Sequence, residues 1–538
     1  MTGIAQRLFS GEAAKPSGSA LAALLLSGSS DPAAYRFVSA LLATAKNGHL
    51  CLTIGDKIVP DPETLGAPGE EVDPESIRAG AARCPSELVA DVSREPPTKP
   101  ICRDGDRYYL QKLWKCETMF KQHYRRLCGQ SPEPWIDLCG IDKRMEGLSL
   151  TEEQAAAVKA SLESSLSIIS GGPGTGKTYT AGVLLQVFWG CLSDDQREKT
   201  RIVLAAPTGK AAQNLQKSFK RVEDSLPGVP PLKANTLHSV LGVGPNKLLD
   251  NPAYLSADVI LVDECSMIDV QMMANLMASV RPGARLIMLG DSHQLPPVES
   301  GSLFSDMMRS REGSVELTKC LRTESQGIIE LSRAIHLGSE SLPLGNVNLL
   351  EFGTGSEWKV QKQIVDWACK HYPEFPAEKI TPETLAKSLQ AYSLLSPFRK
   401  GPLGIDELNE QIAMKLSHRR AMPIIATKSH AGFGLSNGDA GLLIDGEKAV
   451  FLNEEGGLRT ISKLLIPAYE YAFCLSVHKS QGSEFDRVTL LMPKGAEVFG
   501  REVFYTGVTR ARKKLDIWGL DETLKTAVRK KNVRNSGF

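Results

Sequence analysis

At 538 residues with a formal net charge of +1, the chain is long enough for about three or four domains with cores of their own, and any affinity for a polyanion must come from local basic tracks rather than from an overall field. Its apolar fraction of 42% and charged fraction of 23% are those of a soluble globular protein, and its longest early apolar run, residues 20–26, is too short to span a bilayer. Eleven cysteines without a C-x-x-C pair argue against a disulfide framework and a zinc ribbon. With Glu12 and Lys15 breaking up any secretory signal, the cytoplasm is the expected location and no membrane association is expected.

Residues 1–140 read as mixed helices with short turns, and residues 61–73 form a loop rich in Pro, Gly and acid. The stretches GHLCL at 48–52 and RYYLQKLW at 107–114 are apolar patches that composition assigns to a core. After a change of character near residues 140–147, Thr151-Glu-Glu-Gln154 opens an Ala-rich helix to about residue 164; Thr-x-x-Gln is a capping box. Gln154 therefore has a sufficient structural role, although a glutamine just upstream of a phosphate loop is also placed to read an adenine edge.

That loop follows at once. Gly171, Gly172, Pro173, Gly174, Thr175, Gly176, Lys177 and Thr178 stand between an apolar strand and a helix-compatible run at 181–189. Glycines allow the backbone to turn its N–H groups inward onto phosphate oxygens, and the following helix adds its N-terminal dipole. Lys177 is expected to reach the β and γ phosphates, and Thr178 to place its hydroxyl on Mg2+, so ATP with Mg2+ is the expected ligand.

A strand at 202–206 ends in Pro207-Thr208-Gly209-Lys210 and a helix, a second strand–turn–helix unit of the kind that lines the ligand crevice of a parallel sheet. The buried run 259–262 delivers Asp263 and Glu264 at its end, where a P-loop ATPase needs one carboxylate near the metal and one to accept a proton from the attacking water. A further strand at 285–289 ends in GDSHQLPP and places Gln294 toward the γ-phosphate or the water. From about residue 330 a second α/β unit begins, with strands near 393–397, 472–477 and 488–492. It is interrupted at about 415–468 by a Gly-rich stretch of short alternating runs, an inserted β module. Basic tracks lie at 210–221, 418–420, 510–514 and 525–534, each readable alone as a solvated helix face.

Taken together these motifs resemble the superfamily 1B helicases, and within them the RecD family, the alpha subunit of exodeoxyribonuclease V. The resemblance covers residues 150–520: GGPGTGKT, APTGKAA at 206–212, Thr236-Leu237-His238, VDECSMID at 262–269, GDSHQLPPVESG at 290–301, Leu317-Thr318 to Arg322, LLSPFRKGPLG at 394–404, SVHKSQGSEFD at 476–486 and YTGVTRAR at 505–512. It implies an α/β fold of two RecA-like P-loop motor domains, at 141–330 and 331–538, behind a mostly helical partner-docking domain at 1–140. ATP would lie between the motors and single-stranded DNA would run across both. It further implies Gln154 as adenine reader, Gln294 as γ-phosphate sensor, Arg322 and Arg510 as arginine fingers, Glu484 as a nucleotide contact, and Pro207, Thr208, His238, Ser396 and His478 as the DNA track. The insertion would be a small Src-homology-3-like β-barrel, and residues 241–254 a very short 1B hairpin. The expected activity is ATP-dependent 5′ to 3′ unwinding by one subunit of a heterotrimer with RecB-like and RecC-like partners acting on duplex DNA ends, with no nuclease site on this chain. A free-standing helicase and an ATP-switch structural subunit are the alternatives. Cys265, in place of the small residue usual after the acidic pair, is expected to be tolerated.

Overall fold

A computed structural model of the chain describes residues 18–26, 31–65, 72–133, 136, 140–226, 228–244, 247–310, 314–321, 326–345, 347–351, 357–453 and 456–538. The P-loop strand Leu166–Gly171 lies inside a six-stranded, wholly parallel sheet. The strand order is Ser314–Leu317, Leu166–Gly171, Arg285–Gly290, Val259–Val262, Ile202–Ala206 and Ala234–Thr236. Parallel strands joined by helical crossovers are covered on both faces, which is why they read as unbroken apolar runs. Alternate residues show it. Ile168, Ile260, Val262, Leu286 and Met288 share one core with the helix Val270–Ser279. Ile169, Leu204, Leu261, Ile287 and Leu289 face the other way, toward the helices Glu152–Glu163, Lys177–Cys191 and Gly209–Ser225.

A second parallel sheet has the order Asn348–Leu350, Ala511–Gly519, Phe485–Met492, Tyr392–Ser396 and Cys474–Ser476, with the same division of alternate residues between two cores. Between its strands is inserted a five-stranded antiparallel sheet, in the order Leu458–Ser462, Lys448–Leu452, Ala440–Ile444, Ala421–Ala426 and Tyr469–Tyr471. One face of this module closes over its own core of Ile424, Leu443, Ala449 and Phe451; the other sends Leu442, Ile444 and Val450 into a core of the second parallel sheet.

Two sequence expectations need correction. The N-terminal region holds, besides its helices, a five-stranded sheet in the order Ile58–Val59, Leu52–Ile54, Arg107–Leu110, Ile101–Asp104 and Val89–Asp91. The patch GHLCL leads into the strand Leu52–Ile54, which lies beside the strand formed by RYYL, with Leu52 opposite Tyr108. Strands of two to four residues are too short to show a period of two. The 241–254 segment, in turn, carries no strand among its described residues. Asn275 ties part of it to the helix Val270–Ser279, accepting from the Leu249 N–H at 3.0 Å and donating to the Lys247 carbonyl at 2.9 Å.

The helix Gln111–Cys128 closes one face of the P-loop sheet: Arg126 donates to the carbonyls of Met277 and Val280 at 3.0 and 2.8 Å. The last stretch of chain then ties this region to both parallel sheets. Arg534 donates to the carbonyls of Glu299 and Gly301, Asn535 donates through its side chain to the Cys51 carbonyl, and Phe538 stands edge-on to Phe120 and Tyr124. Part of the basic track 525–534 is engaged within the chain: Lys525 pairs with Asp521, Arg529 with Glu340, and the half-buried Arg534 holds the Glu299 and Gly301 carbonyls.

Candidate nucleotide and nucleic-acid site

The capping box at Thr151 forms as its spacing predicts, with the Gln154 N–H on the Thr151 hydroxyl at 3.2 Å and the Thr151 N–H on Gln154 Oε1 at 3.0 Å. Gln154 also donates through Nε2 to the Thr175 carbonyl at 3.0 Å, so the residue that starts the helix also braces the P-loop. One Nε2 hydrogen remains beyond this bond. Gly174 and Gly176 take φ of +79° and +81°, a region closed to most L side chains, and Lys177 begins the helix. Lys177 Nζ lies over the loop it follows, donating to the carbonyls of Gly171 and, at 3.2 Å, Gly172. Thr178 is half-buried beside it on the first helical turn.

Asp263 and Glu264 leave the end of Val259–Val262 together, with the Glu264 N–H donating to Asp263 Oδ1 at 2.8 Å. Glu264 has φ +55°, which costs an L residue roughly 1–2 kcal/mol. Burial and the adjacent Asp263 push the Glu264 carboxyl up, against the pull of Arg510 and Lys177; burial likewise pushes Asp263 up, against Lys177. Two partly dehydrated carboxylates are oxygen donors of the kind Mg2+ takes when phosphates supply its other ligands. Among the described residues no cluster of three or more His, Cys, Asp or Glu side chains forms a self-sufficient metal site.

The second sheet reaches this cleft through the helix Gly500–Thr509. Arg510 follows it, buried, held by the carbonyls of Thr506 and Ser483 at 3.1 and 3.2 Å. Glu484 is half-buried at the same edge, 3.9 Å from Arg512. Gln294, only 6% exposed, donates to Asp291 Oδ2 at 3.0 Å while its Oε1 has no partner. Arg322 lies outside the described residues. The segment before it belongs to the P-loop sheet: the Leu321 N–H donates to the Gly174 carbonyl at 2.8 Å, and Thr318 and Lys319 are held by Glu153.

Strand register gathers most of the expected DNA track. Ala206 pairs with Thr236, so Pro207 and Thr208 stand beside Leu237 and His238 at one carboxyl edge. In the second sheet Ser396 pairs with Ser476, two residues before the half-buried His478. Thr208 caps the helix Gly209–Ser225 through its hydroxyl at 3.2 Å. Ser396 is corrected here: it is fully buried, its hydroxyl donating to the Leu403 carbonyl at 2.7 Å and accepting from the Phe398 N–H at 3.3 Å. The hydroxyl is spent on shaping its own loop and is shut off from any strand outside.

Two family models match the chain, one described as an AAA domain over residues 149–350 and one as a UvrD-like helicase C-terminal domain over residues 471–517. The RecBCD enzyme subunit RecD of Mycolicibacterium smegmatis is 32% identical, over 80% of this chain and 81% of that protein. The chain belongs to the RecD family. The RecBCD enzyme subunit RecD of Haemophilus influenzae is 34% identical, over 82% of this chain and 80% of that protein. The ATP-dependent RecD2 DNA helicase of Deinococcus radiodurans is 27% identical, over 80% of this chain and 58% of that protein.

Within the family's α/β helicase fold, the site holds residues that sequence reasoning passed over. Asp291, Tyr505, Thr506 and Gln481 knit the two sheets together: Tyr505 OH donates to Asp291 Oδ2 at 3.2 Å, the Leu295 N–H to Thr506 Oγ1 at 2.9 Å, and Gln481 Nε2 to the Leu295 carbonyl at 2.9 Å. All four sit inside motifs already quoted, but their roles depend on contacts between distant parts of the chain. Cys265 fits its place, fully buried with its thiol donating to the Val262 carbonyl at 3.3 Å. No helix of the described residues is long and apolar enough to cross a membrane.

Proposed function

We propose that the chain is the ATP-driven motor subunit of a RecBCD-like complex, translocating 5′ to 3′ on single-stranded DNA and unwinding duplex ends. The observation that carries this reading is the meeting of the P-loop and Asp263-Glu264 on one parallel sheet with Arg510 and Tyr505 from the other, around one cleft. ATP binds in that cleft as substrate. Lys177 neutralises its β and γ phosphates, Thr178 and Asp263 hold Mg2+, Glu264 accepts the proton of the attacking water, and Gln294 orients that water or the γ-phosphate. Arg510 and Arg322 offset charge as it develops in the transition state, and Gln154 and Glu484 contact the base and sugar end. Mg2+ supplies Lewis-acid polarisation of the phosphates.

Hydrolysis in a cleft between two units changes how they sit together, and each carries part of the DNA track: Pro207, Thr208 and His238 on the first, His478 on the second, with Ser396 shaping the second edge from inside. Alternating grip then moves the strand. Opening one base-pair step costs about 1.4 kcal/mol of stacking on average, so an ATP-coupled motor need not be efficient to unwind. Contacts through phosphate and sugar make the grip indifferent to sequence and weaker as salt rises. The motors are assigned to 141–330 and 331–538, the antiparallel insertion to the family's small barrel, and residues 1–140 to docking on a RecC-like partner, with a RecB-like subunit completing a cytoplasmic heterotrimer.

A full set of hydrolytic groups fits a motor and also a switch that resets by hydrolysis, and stimulation by DNA separates the two. The test is ATPase activity of the purified chain with and without single-stranded DNA. A rise of about tenfold or more on adding DNA is expected; a rate indifferent to DNA would favour the switch.

A further inference from the structure

We propose that Tyr505 is a positioning residue for ATP hydrolysis: reaching over from the second unit, its phenol fixes Asp291 and through it the side-chain amide of Gln294, so that Gln294 is set for the reaction only while the two units are docked. The proposal rests on the reading of Gln294 given above and names what controls it.

The geometry centres on one carboxylate oxygen. Asp291, 1% exposed, follows the strand Arg285–Gly290 and accepts the His293 N–H on Oδ1 at 3.1 Å. Its Oδ2 accepts two donors, Gln294 Nε2 at 3.0 Å from its own unit and Tyr505 OH at 3.2 Å from the other. An amide that gives its N–H2 end to a carboxylate must present its carbonyl end elsewhere. In Gln294 that end, Oε1, is buried and has no partner. A buried carbonyl oxygen left without a donor is at odds with the near-universal pairing of such groups, and a water or hydroxyl donor is what it would accept.

Tyr505 is placed to be more than a packing residue. Its hydroxyl lies 2.9 Å from where a β-carbon on Gly172 would stand, so the P-loop leaves room for the phenol only because residue 172 has no side chain. The adjacent Thr506 holds the other end of the same loop, accepting the Leu295 N–H at 2.9 Å. One helix of the second unit therefore grips the 291–295 loop at both ends. If that helix withdraws, Asp291 loses a donor, the tether on Gln294 loosens and its carbonyl is no longer aimed.

The test is steady-state ATP hydrolysis by the full chain, saturated with single-stranded DNA, for wild type, Tyr505→Phe, Gln294→Ala and the double variant. Phenylalanine keeps the ring and removes only the hydroxyl, and thermal midpoints confirm folding. Tyr505→Phe is expected to lower kcat about tenfold with KM for ATP changed less than about twofold. In the Gln294→Ala background the same change is expected to cost nothing more, because both act through one amide. Full multiplicative loss in the double variant, an unchanged kcat, or an effect confined to KM would overturn the relay while leaving Gln294 in place. A Gln294→Ala variant with wild-type kcat would overturn both the relay and the reading beneath it.

Discussion

Glu264→Gln is expected to bind ATP as tightly as the wild type, within about twofold, and to lose about a thousandfold in turnover, within the range a positioned general base contributes. Glutamine keeps the shape of the side chain and its φ of +55° at the end of Val259–Val262, but cannot take a proton. The environment supports that role. Burial and Asp263 hold the carboxyl above its ordinary pKa, toward the range in which a base both ionises and accepts a proton near neutrality. The same shift fixes the sign of the stability effect. A carboxyl whose pKa rises on folding destabilises the fold as pH climbs past its unfolded value, and the full cost is present above its folded value. Glutamine has no such cost, so at about pH 8 the variant should melt no lower than the wild type. Single-turnover hydrolysis, nucleotide affinity and a melting curve check the three parts. Undiminished turnover would remove Glu264 as the base.

Lys177→Ala is expected to abolish hydrolysis and weaken nucleotide binding, with the fold intact. Lys177 is half-exposed at the start of its helix, its ammonium donating to the loop carbonyls of Gly171 and Gly172 and lying near enough to Asp263 and Glu264 to favour their charged forms. The loop is held by other bonds: Thr175 donates to the Gly172 carbonyl at 2.8 Å, Gln154 to the Thr175 carbonyl, and Leu321 to Gly174. What alanine removes is the one side-chain cation that follows the P-loop into the phosphate position, and charge-assisted contacts to phosphate are among the strongest polar interactions available. ATPase assay and circular dichroism together check it; hydrolysis at the wild-type rate would place the phosphates elsewhere.

The two parallel sheets were legible because buried strands announce themselves as apolar runs cut off by polar turns. The runs 202–206 and 259–262 are strands from end to end, as are 440–444 and 448–452 in the insertion. The Thr151 capping box was equally plain, since both of its bonds are local. The N-terminal sheet was not legible. Its strands are too short to show alternation, and Leu52 and Tyr108 meet only through the fold. The hairpin expected at 241–254 came from resemblance alone, and the described residues of that segment form no strand, two of its backbone groups being held by Asn275 on a neighbouring helix. Ser396 was placed at the right strand end, but register cannot say that its hydroxyl turns inward to Leu403. The Asp291–Tyr505 contact spans 214 residues of sequence and exists only because two units face each other, which no local pattern encodes.

The most direct test of the motor reading is unwinding of a duplex carrying a single-stranded 5′ tail against one carrying a 3′ tail, by the purified chain with ATP and with Lys177→Ala as control. The account predicts unwinding from the 5′ tail alone, lost in the variant. Unwinding from the 3′ tail alone, or unwinding that survives Lys177→Ala, would contradict it.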